Sequence, residues 1–192
     1  MNTTLRKLIW CTLAMSMLLA GAAQAATTFT LIPLDGMVSG PPGSVVGFGF
    51  TITNDMNFLE VTSSNFVPAS PIGTYTDFNS LRANPIIVGP PPESPVVSEN
   101  FDANAITGIG SFTINAGATP GQMAIGNSVI TFDLFSRSPN DPNFNPDTDL
   151  ISSDNMLSAF AEVTVTQATP EPATLGLMGA SLAGLLFFRR RR

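Results

Sequence analysis

Val46, Phe48, Phe50 and Ile52 alternate with Gly47, Gly49, Thr51 and Thr53. This is the period of two that sends successive side chains to opposite faces of a strand. The same period recurs along residues 26–169, and nowhere in that stretch is an apolar period of 3.6 sustained. Residues 27–34 open with strand-forming Thr, Phe and Ile, and 35–36 and 39–43 follow as Gly/Pro turn material. Residues 58–62 make a shorter candidate. Ile86, Ile87 and Val88 are closed off by Gly89 and three prolines, which limits them to a loop or a sheet edge. Residues 109–115 alternate again, with Phe112 and Ile114 on one side. Residues 128–135 set Ile130, Phe132 and Leu134 against Val129, Thr131, Asp133 and Phe135. Residues 158–166 turn Ala159, Ala161, Val163 and Val165 inward. Seven or eight short strands parted by Gly, Pro, Asn and Asp predict an all-β body, an antiparallel β-sandwich of immunoglobulin-like type, with a small β-barrel as the alternative. The twelve phenylalanines of this body are its expected core.

The two ends read differently. Residues 1–25 have a basic start (Arg6, Lys7), an apolar run over 8–20 and the small-x-small triplet Ala23-Gln24-Ala25. That is the pattern of a secretory signal peptide cut after Ala25, a substrate of the general secretion machinery and its signal peptidase. Cys11, the only cysteine, lies inside the apolar run and would leave with it. At the other end stand Pro170, Glu171 and Pro172, then 16 uncharged residues over 173–188, then Arg189, Arg190, Arg191 and Arg192. As a helix the run would reach about 24 Å, short of the roughly 30 Å of a bilayer core. Phe187, Phe188 and the arginine stems can cover part of that deficit at the interface. The four arginines favour a cytoplasmic C-terminus for a single transmembrane helix. The division expected is therefore a signal peptide (1–25), an acidic sandwich (26–167) and a terminal membrane segment (168–192).

Pro-Glu-Pro, a short apolar helix and a terminal arginine cluster, in that order over residues 168–192, resemble the PEP-CTERM protein-sorting signal of Gram-negative bacteria. The resemblance implies a substrate rather than an enzyme. A membrane-embedded, cysteine-dependent exosortase would cut near Pro170, Glu171 and Pro172, after a transient stay in the inner membrane. The body would then go to the cell surface or the extracellular biofilm matrix, where exopolysaccharide is a candidate neighbour.

Composition narrows what the body could do there. Residues 26–169 hold 13 acids and only Arg82 and Arg137, so 2 − 13 gives a formal charge of −11. Such a body repels nucleic acid, which is not an expected partner. The chain has no histidine, and residues 26–169 have no lysine or cysteine. The usual general base, Schiff-base amine and thiolate are thereby removed, as are a Ser-His-Asp triad and a typical zinc site. A pair of carboxylates could still serve a glycosidase. Sugar clefts, however, stack rings on exposed Trp or Tyr, and here Trp10 lies in the signal segment and Tyr75 is the single tyrosine. No enzyme and no resident cofactor are expected. One constellation suits a hard cation: Asp141, Asn143, Asn145, Asp147 and Asp149 place an oxygen at every second position, with Asp154 following, as a calcium loop does. The spacing departs from an EF-hand at Pro146, where glycine is needed, and at Ser152, where glutamate is needed. The competing reading is a proline-stiffened surface loop between two strands. Function is thus expected to be that of a non-enzymatic surface or matrix protein, the alternative being a displayed module that binds Ca²⁺ or a glycan.

Overall fold

A computed structural model describes residues 27–70 and 72–168. The expected signal segment with Ala23 and Ala25, Pro170 to Pro172, the helix expected over 173–188 and Arg189 to Arg192 lie outside the described residues. Among the described residues no helix is long and apolar enough to cross a membrane.

Among the described residues ten strands follow one another: β1 (Thr28–Ile32), β2 (Met37–Gly40), β3 (Val45–Thr53), β4 (Phe58–Pro68), β5 (Gly73–Asp77), β6 (Ile87–Val88), β7 (Val96–Glu99), β8 (Gly110–Ile114), β9 (Met123–Phe135) and β10 (Leu150–Val165), with a 3₁₀ turn (Asn79–Leu81) after β5 and a short α-helix, α1 (Pro146–Asp149), before the last strand. They form two five-stranded sheets. In the first the order is β1-β3-β8-β5, with β7 also paired to β3; in the second it is β2-β10-β9-β4-β6. The first corresponds to the A-B-E-D sheet of an immunoglobulin-type sandwich, and β4, β9 and β10 to its C-F-G sheet. Two separate sheets exclude the closed barrel.

The chain passes between the sheets directly after its first strand. Thr28–Ile32 pairs antiparallel with β3, while Met37–Gly40 pairs parallel with Glu162 to Val165 of β10. The tight turn between them is closed by Gly36 N donating to Pro33 O at 2.9 Å. Gly36 takes φ +68 there, the left-handed region that glycine enters without a Cβ clash.

The core is aromatic. Phe48 and Phe50 of β3 and Phe112 of β8 are 0–1% exposed. Phe66 reaches across from β4 and meets Phe112 at 5.6 Å and Phe48 at 6.0 Å, both edge-on. That is the favourable arrangement for ring quadrupoles. On the opposite side of β3, Gly47 leaves room for the Phe101 ring, which a Cβ would strike.

Several sequence expectations need correction. Ser39 and Gly40 belong to β2, not to a turn: their composition is loop-like, but β10 supplies the hydrogen-bond partners. β4 runs six residues past the expected 62, because a register shift between Val61 and Ser63 lets polar Ser63, Ser64 and Asn65 continue the ladder. β9 begins at Met123 rather than 128, and β10 at Leu150 rather than 158. β5 and β7 were not expected at all. Eight of the twelve body phenylalanines are buried as expected, but Phe160 is 47% exposed.

Candidate functional site

The expected processing residues, Pro170 to Pro172, follow soon after the point where the chain leaves the sandwich. Val165 N donates to Gln122 O at 2.9 Å, Gly121 N to Val165 O at 2.8 Å, and Thr166 N to Gly40 O at 2.8 Å. Thr166 is thus the last residue tied into the sheet. Four residue steps separate it from Pro170, a reach of at most about 14 Å. Any enzyme acting at Pro170, Glu171 and Pro172 works close against the folded body.

The Asp/Asn segment lies at one end of the second sheet, between β9 and β10. Asn145 caps α1, its Oδ1 accepting from Asp147 N at 3.0 Å, and Pro146 occupies the first helical position. Asp141 Oδ1 accepts from Asn143 N at 2.8 Å, and Asp149 Oδ2 from Asn145 N at 2.9 Å. Arg137 faces the same two acids, at 3.9 Å from Asp141 and 3.8 Å from Asp149. The structure therefore brings Asp141, Asn145 and Asp149 together, but around backbone N–H groups and a guanidinium. Asp147 and Asn143 are exposed. Asp154, at φ +56, belongs to the irregular start of β10, and its N donates to Asp133 of β9. Among the described residues no three Asp, Glu, His or Cys side chains are grouped so as to hold a metal. Beside the segment is an open pocket of about 440 Å³ lined by Phe58, Glu93, Arg137 and Asp141 among others.

Two charged arrangements were not legible in the sequence. Arg82 makes a two-pronged contact with Glu99, at 2.8 and 2.7 Å, and also donates to Gly108 O. Its side chain is 12% exposed. The hydrogen bonds from Arg82 hold the Glu99 carboxyl below its ordinary range despite partial burial, with Gly108 N assisting. Glu60 behaves oppositely. It is the register partner of Asp133 on the outer face of the second sheet, and partial burial, then the Asp133 charge, push its carboxyl up. The two should respond to acid with opposite signs. Glu99 contributes stability above its unfolded value of 4.5, lost as pH falls through its lower folded value. Glu60 penalises the fold at neutral pH, and that penalty disappears as it protonates. Accordingly Glu99→Gln should lower Tm and Glu60→Gln should raise it at pH 7, the latter by less than about 1 kcal/mol given its exposure. Both differences should shrink toward pH 3 in thermal melts. A Glu60→Gln gain that persists in acid would contradict the assignment.

A buried polar cluster joins the sheets. Ser64 Oγ lies 2.6 Å from Asp77 Oδ1, 2.9 Å from Ile109 O and 2.9 Å from the Tyr75 hydroxyl. Burial pushes the Tyr75 phenol well above its ordinary value, so it stays protonated and serves as a structural donor. With no histidine in the chain, Ser64 has no general base of the ordinary kind.

A search of curated protein sequences gives no match to this chain. A chain of the crystal structure of the CaDoc0917–CaCohA2 complex at pH 5.5 aligns over its whole length with 73% of this one, at 18% identity and a TM-score of 0.28. A family model described as the PEP-CTERM protein-sorting motif matches residues 168–192. Pro170, Glu171, Pro172 and the terminal arginines fall within that match, and by its last 25 residues this chain is a carrier of the PEP-CTERM protein-sorting motif.

Proposed function

We propose that the chain is an exported, non-enzymatic surface or matrix protein whose body is a rigid acidic sandwich delivered by exosortase processing. The observation that carries this reading is the sorting motif at 168–192, which begins two residues after Thr166, the last residue tied into the folded domain. The signal-peptide pattern of residues 1–25 supports entry into the export route. The absence of histidine from the whole chain, and of lysine and cysteine from the body, supports a role in structure or adhesion rather than catalysis. At −11 the body suits a hydrated envelope or exopolysaccharide layer, where it stays soluble.

Cell fractionation tests the reading. In cells that contain an exosortase the chain should reach the surface or the medium, and in cells lacking that enzyme it should stay with the inner membrane. Equal release from both would overturn it. The alternative of a Ca²⁺-binding module rests on Asp141, Asn143, Asn145, Asp147 and Asp149. It would show as a rise in Tm of the purified protein in millimolar calcium, by mass action on the folded state. With Arg137 seated between Asp141 and Asp149, no such rise is expected.

A further inference from the structure

Charge is unevenly placed along the sandwich. Residues 36–54, 61–76, 103–132 and 163–170 contain no Asp, Glu, Lys or Arg. Every one of these runs passes through the same end of the body. There β2 ends and β3 begins, β4 ends and β5 begins, β8 ends and β9 begins, and β10 ends. The turns of that end are tied to one another and to the departing chain. Thr166 N donates to Gly40 O at 2.8 Å, Gly43 N to Ile114 O at 3.1 Å, Asn115 N to Ile72 O at 2.9 Å and Ala69 N to Ile125 O at 2.9 Å. Val45, Val67 and Met123, at the strand ends there, are 46–59% exposed. The acids begin farther up. Glu162 stands three residues above Val165 on β10 and Asp77 four above Gly73 on β5, about 10 and 13 Å along the strands. Asp141, Asp147 and Asp149 lie at the opposite end, between β9 and β10.

We propose that this uncharged end is the surface on which the uncut chain stands against the lipid bilayer, its acids directed away. The proposal rests on the sorting reading, which puts residues 173–188 in the membrane. Seven residue steps from Thr166 to Ala173 reach at most about 25 Å. β10 alone, with 16 residues, is about 50 Å long. On so short a tether the body cannot turn its far end to the lipid. It stands on the near end or lies on its side. Lying on the second sheet would press Glu60, Asp133 and Glu162 toward the headgroups. Lying on the first would press the loop that carries Asp102, whose neighbour Phe101 covers Gly47 on that outer face. Repulsion from an anionic leaflet dies away within about 8 Å at physiological salt, less than the height of Glu162 above the near end. End-on, the lipid meets uncharged turns and three exposed apolar side chains, and the acids stay outside its field.

The test uses the full-length chain from cells lacking exosortase, so that lipid is the only surface on offer. It carries Cys11→Ser and one new cysteine for a fluorophore, Ala69→Cys or Ala116→Cys at the near end, or Asn140→Cys at the far end; all three sites are exposed. The chain is reconstituted into vesicles of phosphatidylethanolamine and phosphatidylglycerol that contain a headgroup-nitroxide lipid. Because the ends lie about 50 Å apart, quenching at Ala69→Cys and Ala116→Cys should exceed that at Asn140→Cys roughly threefold. Ser70→Glu with Thr119→Glu should cut the quenching at Ala116→Cys about twofold, and about 0.5 M salt should restore it. Equal quenching at the two ends, none at either, or indifference to the added glutamates would overturn the proposal and leave the sorting reading standing. A chain that does not float with the vesicles would overturn both.

Discussion

Replacing Pro170, Glu171 and Pro172 together by alanine should leave nearly all of the chain as an uncut precursor in the inner membrane, with the surface form reduced at least tenfold. The matched sorting motif spans 168–192. The substitution leaves its apolar run and arginines intact, so insertion and orientation should persist while processing stops. Nor should the body suffer, because its last sheet hydrogen bond is made by Thr166, four residues earlier. Thermal melts of the body should therefore match those of the parent protein, which separates a processing defect from misfolding. Fractionation followed by immunoblotting reads the result. Normal release of the alanine variant would remove the sorting role from this motif.

Phe48→Ala should lower stability by about 4 kcal/mol, within the range for removing a phenylalanine from a packed core. Phe48 is fully buried at the centre of β3 and touches Phe66 from the facing sheet. Its loss removes the ring against which the second sheet packs and leaves a cavity that rigid neighbours cannot fill. For a body of this size the expected fall in Tm is on the order of 10 °C or more. Phe160→Ala, at a site 47% exposed, should cost the monomer far less. Urea titrations of both variants check the contrast. Equal losses would mean that the aromatic cluster is not what joins the two sheets.

The fold was readable wherever one strand face is buried and the other solvated. In β3 the alternation correctly sends Phe48, Phe50 and Ile52 into the core, although Gly47 and Gly49 on the other face are buried as well, covered by Phe101 and the backbone at Glu99 and Asn100. The reading failed where partners far along the chain decide the outcome. Met37–Gly40 looks like turn material and becomes a strand because Glu162 to Val165 lie alongside it. Ser64 sits in a polar run yet is buried, because Asp77, Tyr75 and Ile109 satisfy its hydroxyl. Phe160 was assigned to the core by residue type. The period of β10, read from the sequence with Ala159, Ala161, Val163 and Val165 inward, already pointed Phe160 outward, and the structure follows the period rather than the residue type. In the Asp/Asn segment the alternating oxygens were visible. Their capping of backbone N–H groups and their approach to Arg137 depend on a local helix, α1, that a four-residue stretch cannot announce. The tail motif was legible in full because its parts are contiguous.

Intact mass spectrometry of the protein recovered from the native cell surface tests the central claim most directly. A species that begins at Ala26 and ends between Thr169 and Pro172 is the predicted result, and any excess mass would identify what the new C-terminus is joined to. A surface species that still contains Phe187, Phe188 and the four terminal arginines would contradict exosortase processing.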